Sequence, residues 1–289
     1  MVVAFVRSYL CLALFLSGAH ALAQAAFSVD ETNTGNSTIT LSGKNLDPSQ
    51  KFWIHVYPSK NNSEETAQDL FPAAGATTLQ QKIYLNQGNG SYIVLICFQA
   101  ANAPAGSSWS QSTYFTILNS DPIDQTSLLP SANVQSDNAE IVDMAKSITA
   151  GMKDDLTKSR AIHDWVASHI SYDLDAYDST QPHVDDALTT FRRRKSMCGG
   201  YSDLNAALHR AVGLRARVID GQAWLGNLQG AHAWNEILID GRWVTEDTTW
   251  DAGYVTNAKV FKFKLTERYF DPSAKTFAEN HLREEVSSD

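Results

Sequence analysis

Met197-Cys198-Gly199-Gly200-Tyr201-Ser202-Asp203-Leu204 sets a cysteine and two glycines at the head of a helical pattern. Leu204, Ala207, Leu208 and Ala211 recur at helical spacing and Gly213 stops the pattern, so Cys198 stands at or just before the first turn. Backbone N–H groups there lack intrahelical acceptors, and their partial positive charge favours a thiolate. Gly199 and Gly200 take side-chain bulk away from the sulfur, which leaves room for a carbonyl and N–H groups for an oxyanion. A single cysteine at a helix start is more often buried structure than a nucleophile. Its partners decide.

Two further stretches supply them: Ala231-His232-Ala233-Trp234-Asn235-Glu236 and Glu246-Asp247-Thr248-Thr249-Trp250-Asp251. Asp240-Gly241 is a two-residue turn signal between Glu236-Ile237-Leu238-Ile239 and Arg242-Trp243-Val244-Thr245. If Ile239 faces Arg242 and the ladder runs on without a bulge, His232 faces Thr249 and Trp234 faces Asp247. His232 and Asp247 then project from one face as diagonal neighbours, close enough for a carboxylate to hold an imidazole. In isolation His232 is a strand histidine and Asp247 a turn carboxylate. Both on one face, after a cysteine at a helix start, form a nucleophile, base and orienter set: Cys198, His232 and Asp247.

Cys198-Gly199-Gly200-Tyr201, His232-Ala233-Trp234-Asn235-Glu236 and Asp247-Thr248-Thr249-Trp250-Asp251 resemble the three core motifs of the transglutaminase-like superfamily. Ala161-Ile162-His163-Asp164-Trp165-Val166 and Ile170-Ser171-Tyr172-Asp173 are similar to the helix that leads into that core. The resemblance covers roughly residues 137–251, with a weaker echo at Tyr269-Phe270-Asp271-Pro272. It implies a papain-like, circularly rearranged core with Cys198, His232 and Asp247 as the triad. It leaves the reaction open among cross-linking, deamidation, proteolysis, peptide N-glycanase chemistry and an inactive fold.

The expected fold class is α+β, an N-terminal antiparallel β-sandwich of Ig-like type followed by helices packed on an antiparallel sheet. Residues 27–118 carry the sandwich pattern: short alternating runs around Ser37 to Leu41, Phe52 to Tyr57, Leu79 to Leu85, Ser91 to Phe98 and Thr113 to Leu118. Asn86-Gln87-Gly88-Asn89-Gly90 carries hairpin turn chemistry between two of them. Residues 119–135 are polar, broken by Pro122 and Pro130, and read as a linker. The catalytic domain is placed at 136–289. Asp137 with Glu140 suggests a capping box for a first helix, with further helices near Thr157 to His169 and Asp185 to Arg194. A strand is expected over Arg215 to Ile219.

Residues 1–23 read as a signal peptide, with Arg7 before the apolar run Tyr9 to Leu16 and small residues at Ala21 and Ala23. Secretion or a periplasmic, extracytoplasmic location follows, with no transmembrane helix after cleavage. Cys97 and Cys198 then remain; Cys97, in an apolar strand pattern, is expected as a buried structural thiol and Cys198 as free. With 23 Lys+Arg against 32 Asp+Glu, the net charge is −9, which argues against nucleic acid or anionic lipid as main partner. A protein or peptide substrate is the expected partner; oligomeric state is open. Sequons at Asn36, Asn61 and Asn89 are common by chance in an Asn- and Ser-rich stretch.

Beyond the triad, Gly199, Gly200, Tyr201, Gln222, Trp224 and Trp234 are candidates for the substrate cleft or the oxyanion. Packing roles compete for Tyr201 and Trp234. Arg192-Arg193-Arg194-Lys195 reads first as a solvated helix end. No paired cysteine or His-Glu-x-x-His spacing points to a metal and no acidic loop to calcium, so neither metal nor cofactor is expected. The competing class is a non-catalytic extracytoplasmic binding or scaffold protein that keeps the fold.

Overall fold

The computed structural model describes residues 11–12, 26–60, 68–179, 185–226 and 228–287. Apart from Cys11 and Leu12, the expected signal peptide lies outside the described residues, as does Asn61. Two compact units meet between Thr126 and Ser127.

The first unit is built from strands β1 (Cys11–Leu12), β2 (Ala26–Val29), β3 (Asn33–Thr34), β4 (Thr38–Lys44), β5 (Gln50–Pro58), β6 (Gln68–Leu70), β7 (Thr78–Tyr84), β8 (Gly90–Ala100) and β9 (Trp109–Asn119). One sheet runs β1-β9-β8-β5-β6 with β3 also on β9; the other runs β2-β4-β7. Alternation explains how they share a core. Ile39 and Leu41 of β4 and Ile83 of β7 turn inward with Ile54, Val94, Ile96 and Ile117 of the larger sheet, all 1% exposed or less. The opposite residues Trp53 and Cys97 meet Trp109 in a separate cluster, which buries Cys97 as expected.

The 86–90 stretch is not a hairpin. It carries the chain from β7 in one sheet to β8 in the other. Side chains hold this crossover. The Asn119 amide and the Tyr92 hydroxyl both donate to the Gly88 carbonyl, at 2.9 and 2.7 Å, and Gln87 N–H donates to the Tyr92 hydroxyl. Turn residues report a reversal, not which strand the chain joins next.

Residues 119–135 are packed on both sides of the division. Asn119 closes β9, and Asp121 accepts from the Ser37 hydroxyl. Val134 is fully buried in the second core, while the carbonyls of Ser127 and Leu129 accept from Ala216 N–H and the Arg210 guanidinium.

The second unit runs α1 (Ala139–Ile148), α2 (Asp155–His169), β10 (Ser171–Tyr172), α3 (Leu174–Tyr177), α4 (Ala187–Arg193), β11 (Lys195–Ser196), α5 (Cys198–Ala211), β12 (Ala216–Leu225), β13 (Leu228–Ile239), β14 (Arg242–Glu246), α6 (Thr248–Ala252), β15 (Gly253–Val255), β16 (Phe261–Phe263), α7 (Ala274–Phe277) and β17 (His281–Val286). Its principal sheet is antiparallel, in the order β14-β13-β12-β17. Helix α5 is buried from Gly200 to Arg210 and packs on β12 and β13. Leu204 and Leu208 meet Ile162, Val166 and Ile237 there, each burial contributing roughly 1.5–3 kcal/mol. A helix sheathed on all sides holds its first residue firmly.

Helix starts follow a simple chemistry. Asn138, Asp154, Asp173, Asp186, Asp247 and Ser273 cap their helices through side-chain oxygens. The cap of α1 is thus Asn138 and not Asp137, and Glu140 pairs with Arg192 rather than closing a box. Helix α5 alone among them has no side-chain cap, since Met197 precedes Cys198.

Candidate active site

Cys198 is the first residue of α5, half-buried, and a free thiol. Its helix begins without a side-chain acceptor, so the leading N–H groups stay available beside the sulfur. A Cβ on Gly199 would meet nothing within 4 Å. Gly200 has a different reason to be glycine. A Cβ there would collide with the hydroxyls of Ser196 and Thr190 and with the Asp185 carbonyl, so its role is close packing of α5 on α4, not cleft lining.

His232 comes from β13, and its imidazole stands beside the Cys198 side chain, whose interaction with it favours the charged ring. Nε2 lies 2.8 Å from Asp247 Oδ2, so Nδ1 is the nitrogen left for sulfur. Across the ladder from His232 stands Gly221. A Cβ on Gly221 would strike the Trp234 ring and the Leu282 carbonyl, so the sheet closes here only around a glycine. Burial works against charge on His232, but the Asp247 charge and hydrogen bond, with Cys198, outweigh it and hold its pKa up to about 10.

The expected ladder holds from Ile239–Arg242 to Asn235–Glu246, around a turn with Asp240 and Gly241 both at positive φ. Beyond Glu246 it stops. Thr249 does not pair with His232, nor Asp247 with Trp234, because Thr248 begins α6 and Asp247 is its cap. The imidazole and carboxylate nevertheless meet, by a helix start and not by a diagonal strand contact. Asp247 is fully buried. Its Oδ1 accepts from Trp250 N–H at 3.1 Å, and its own N–H donates to the Tyr269 carbonyl. Burial resists its ionisation, yet the His232 charge and the bonds from His232 and His281 hold its pKa well below the usual carboxylate range.

His281 was invisible in the sequence. It opens β17, is buried, and brings Nε2 to 3.1 Å from the same Asp247 Oδ2. No periodicity or motif marks it, and its strand, His281–Val286, was not expected. The nearest ligand atoms of His232, Asp247 and His281 lie within 4.8 Å of one another, as a metal set would require. Both imidazoles spend those nitrogens on Oδ2, so the geometry is equally that of a closed hydrogen-bonded cluster.

The other candidates sort by placement. Tyr201 is fully buried and its hydroxyl donates to the Ile170 carbonyl; Trp234 is 2% exposed. Both belong to the packing, not to an open cleft. Gln222 and Trp224 are partly exposed on β12, facing Ala231 and Gln229 of β13. Arg192, Arg193 and Lys195 pair with Glu140, Asp173 and Asp175, and the Arg194 guanidinium lies 4.6 Å over Trp165. The basic run is a helix end held by its own acids and rings.

A second polar cluster also escaped the sequence reading. Glu246, one residue before Asp247, is fully buried and accepts from Asn205 at 3.0 Å and from Ser159. His163 stands between Asp251, at 3.1 Å, and Glu246, at 3.6 Å; His209 reaches Ser159 at 3.0 Å. Burial disfavours charge on His163, but Asp251 and Glu246 outweigh it and raise its pKa to about 9. His209 goes the other way, held down by burial.

Comparison with known proteins fits this half of the chain. Residues 142–248 match the model of the transglutaminase-like superfamily. Kyphoscoliosis peptidase of Mus musculus and that of Homo sapiens are each 31% identical over 139 residues, 44% of this chain and 21% of theirs. The chain thus spans about a fifth of the length of the curated relatives it matches. Among solved structures, a Cytophaga hutchinsonii protein provisionally described as a cysteine protease is 17% identical, covering 91% of this chain and 83% of its own, with a TM-score of 0.40. The periplasmic domain of TgpA from Pseudomonas aeruginosa is 15% identical, covering 74% and 69%, with a TM-score of 0.35. With its helices and sheet matched over residues 142–248, the second unit carries a transglutaminase-like superfamily core, homologous there to kyphoscoliosis peptidase.

Proposed function

We propose that the second unit is a cysteine enzyme that cleaves or transfers the acyl group of protein amide bonds, with Cys198 as nucleophile, His232 as base and Asp247 as orienter. The observation that carries the reading is the connected chain Cys198–His232–Asp247 at an uncapped helix start. The thiol gives its proton to His232 Nδ1 and the sulfur bonds to the amide carbon. The C–N bond then breaks as the imidazolium protonates the departing amine, leaving a thioester. The α5 N–H groups receive the oxyanion in between. Water, deprotonated by His232, releases an acid; an amine in its place forms a new amide. A relative named as a peptidase and the space beside Gly199 support hydrolysis of a protein or peptide chain.

In this reading the unit has a papain-like core, the two N-terminal sheets form an Ig-like sandwich, and residues 1–23 direct an extracytoplasmic location. A scaffold protein without catalysis is the alternative, and nothing in the Cys198 surroundings favours it. The deciding assay offers a protein substrate and a fluorescent primary amine to the full chain and to Cys198→Ala. Cleavage, acid formation or amine incorporation should be present in the parent chain and absent in the variant, at unchanged melting temperature. Equal turnover by both would end the proposal.

A further inference from the structure

Asp247 is held by two imidazoles through one oxygen. Oδ2 sits 2.8 Å from His232 Nε2 and 3.1 Å from His281 Nε2, while Oδ1 is engaged by Trp250 N–H. We propose that His281 is a positioning residue of the active site, whose Nε2–H fixes the Asp247 carboxylate and shares the charge that Asp247 presents to His232. This rests on the triad reading above.

The surroundings of His281 are built to aim it. Its ring stacks on Phe277 at 4.0 Å and 13°, and Trp250 closes another side at 4.5 Å. Nδ1 lies 2.7 Å from the Asn280 side-chain oxygen, and the Asn280 amide donates to the Tyr269 hydroxyl at 2.9 Å. Two aromatic walls and one amide therefore fix the ring's rotation and direct Nε2 at Asp247. His281 lies beyond 248, where the family match ends, on strand β17.

A carboxylate oxygen with a single N–H partner can swing or give its whole charge to that partner. With two, its lone pairs are divided and its rotation is blocked. The titratable groups around it are His232 from β13, Cys198 and Tyr201 from α5, Tyr172 from β10, and Tyr269. None of the three tyrosines bonds Asp247 through its side chain among the described residues. Among the described residues, His281 is thus the one side-chain donor to Asp247 besides His232.

The test uses the full chain and iodoacetamide, read as the alkylation rate of Cys198 against pH, with Cys198→Ala as background. His281→Phe keeps an aromatic ring on Phe277 but removes the donor; His281→Gln restores an N–H near the Nε2 position. We expect His281→Phe to slow alkylation near neutral pH by about 10–100-fold and to move the limb at which the thiolate forms to higher pH, because Asp247, free to turn, then supports the His232 imidazolium less. Gln should recover most of the rate and the parent limb. Two variants that melt lower but keep the parent pH profile would overturn the proposal, leaving His281 as packing. Should His281→Phe not fold, His281→Met takes its place as the variant without a donor: a slowed, shifted profile upholds the proposal, and a parent profile overturns it. Failure of the underlying triad looks different, since Asp247→Asn would then leave the parent profile unmoved as well.

Discussion

Glu246 and Asp247 are neighbours in sequence, each a fully buried carboxylate among two histidines, and they do different things. Glu246 faces inward to His163, His209, Ser159 and Asn205, all fully buried. Asp247 faces the other way, to His232 and His281, and through His232 to a half-exposed thiol. Strand alternation at the end of β14 sends the two side chains apart. Imidazole paired with carboxylate is thus not in itself a sign of catalysis. What separates the clusters is a nucleophile at an uncapped helix start, with open space at Gly199. The inner cluster joins α2, α5, β13, β14 and α6, and it braces the surfaces from which the outer one projects.

Replacing each carboxylate by its amide breaks the comparison most sharply. Asp247→Asn keeps the α6 cap, since Asn caps about as well as Asp, but removes the charge that orients and supports the His232 imidazolium. Turnover should fall by about 10⁴-fold with only a modest drop in melting temperature. Glu246→Gln should do the reverse in kind. It leaves His163 facing one carboxylate instead of two and removes a buried partner, a loss of about 3–5 kcal/mol by denaturant unfolding. Per folded molecule, its turnover should stay within a few-fold of the parent. If Glu246→Gln stopped chemistry without loss of stability, the division between the clusters would be mistaken.

This division also marks what the sequence could disclose. Cys198 and the α5 start were legible because helical spacing and a terminal glycine frame them within sixteen residues. The turn at Asp240-Gly241 fixed the ladder register as far as Glu246 because positive-φ chemistry there is local. The break after Glu246 was not legible. Asp247-Thr248-Thr249 can continue a strand or cap a helix, and tertiary bonds from Tyr269 and Trp250 select the cap. His281 and the inner cluster depend on pairings between residues 30 to 90 positions apart, for which no spacing rule exists. In the first unit, turn residues at 86–90 disclosed a reversal but not the change of sheet.

The inner cluster should also show itself in the pH dependence of folding. His163 has its pKa raised from 6.5 to about 9 in the fold. The stability it contributes is therefore full below pH 6.5 and is lost as pH rises through 9, up to about 3 kcal/mol. His232, raised to about 10, acts in the same direction at slightly higher pH. Urea unfolding at pH 6 and pH 9.5 spans most of both losses, so His163→Gln reads the share that His163 carries. The decline of the parent should shrink markedly in His163→Gln and stay largely intact in His281→Gln. An equal decline in His163→Gln would place the proton elsewhere.

The smallest effects are expected at the two glycines after Cys198, where the outer cluster meets the packed core. Gly200→Ala must push a methyl group into Ser196, Thr190 and the Asp185 carbonyl, backbone that cannot yield cheaply. Overpacking of this kind costs about 1–3 kcal/mol and should lower the melting temperature while tilting the first turn of α5. Gly199→Ala meets nothing within 4 Å at ordinary φ, so its fold should be unchanged or firmer by up to about 1 kcal/mol through helix propensity. Its methyl group would stand in the open space beside the thiol. Alkylation by a small reagent should then persist while a bulky maleimide or a protein substrate reacts several-fold more slowly. Equal slowing for both reagents would mean that the space beside Gly199 is not where substrates approach, and the outer cluster would have to be reached from another side.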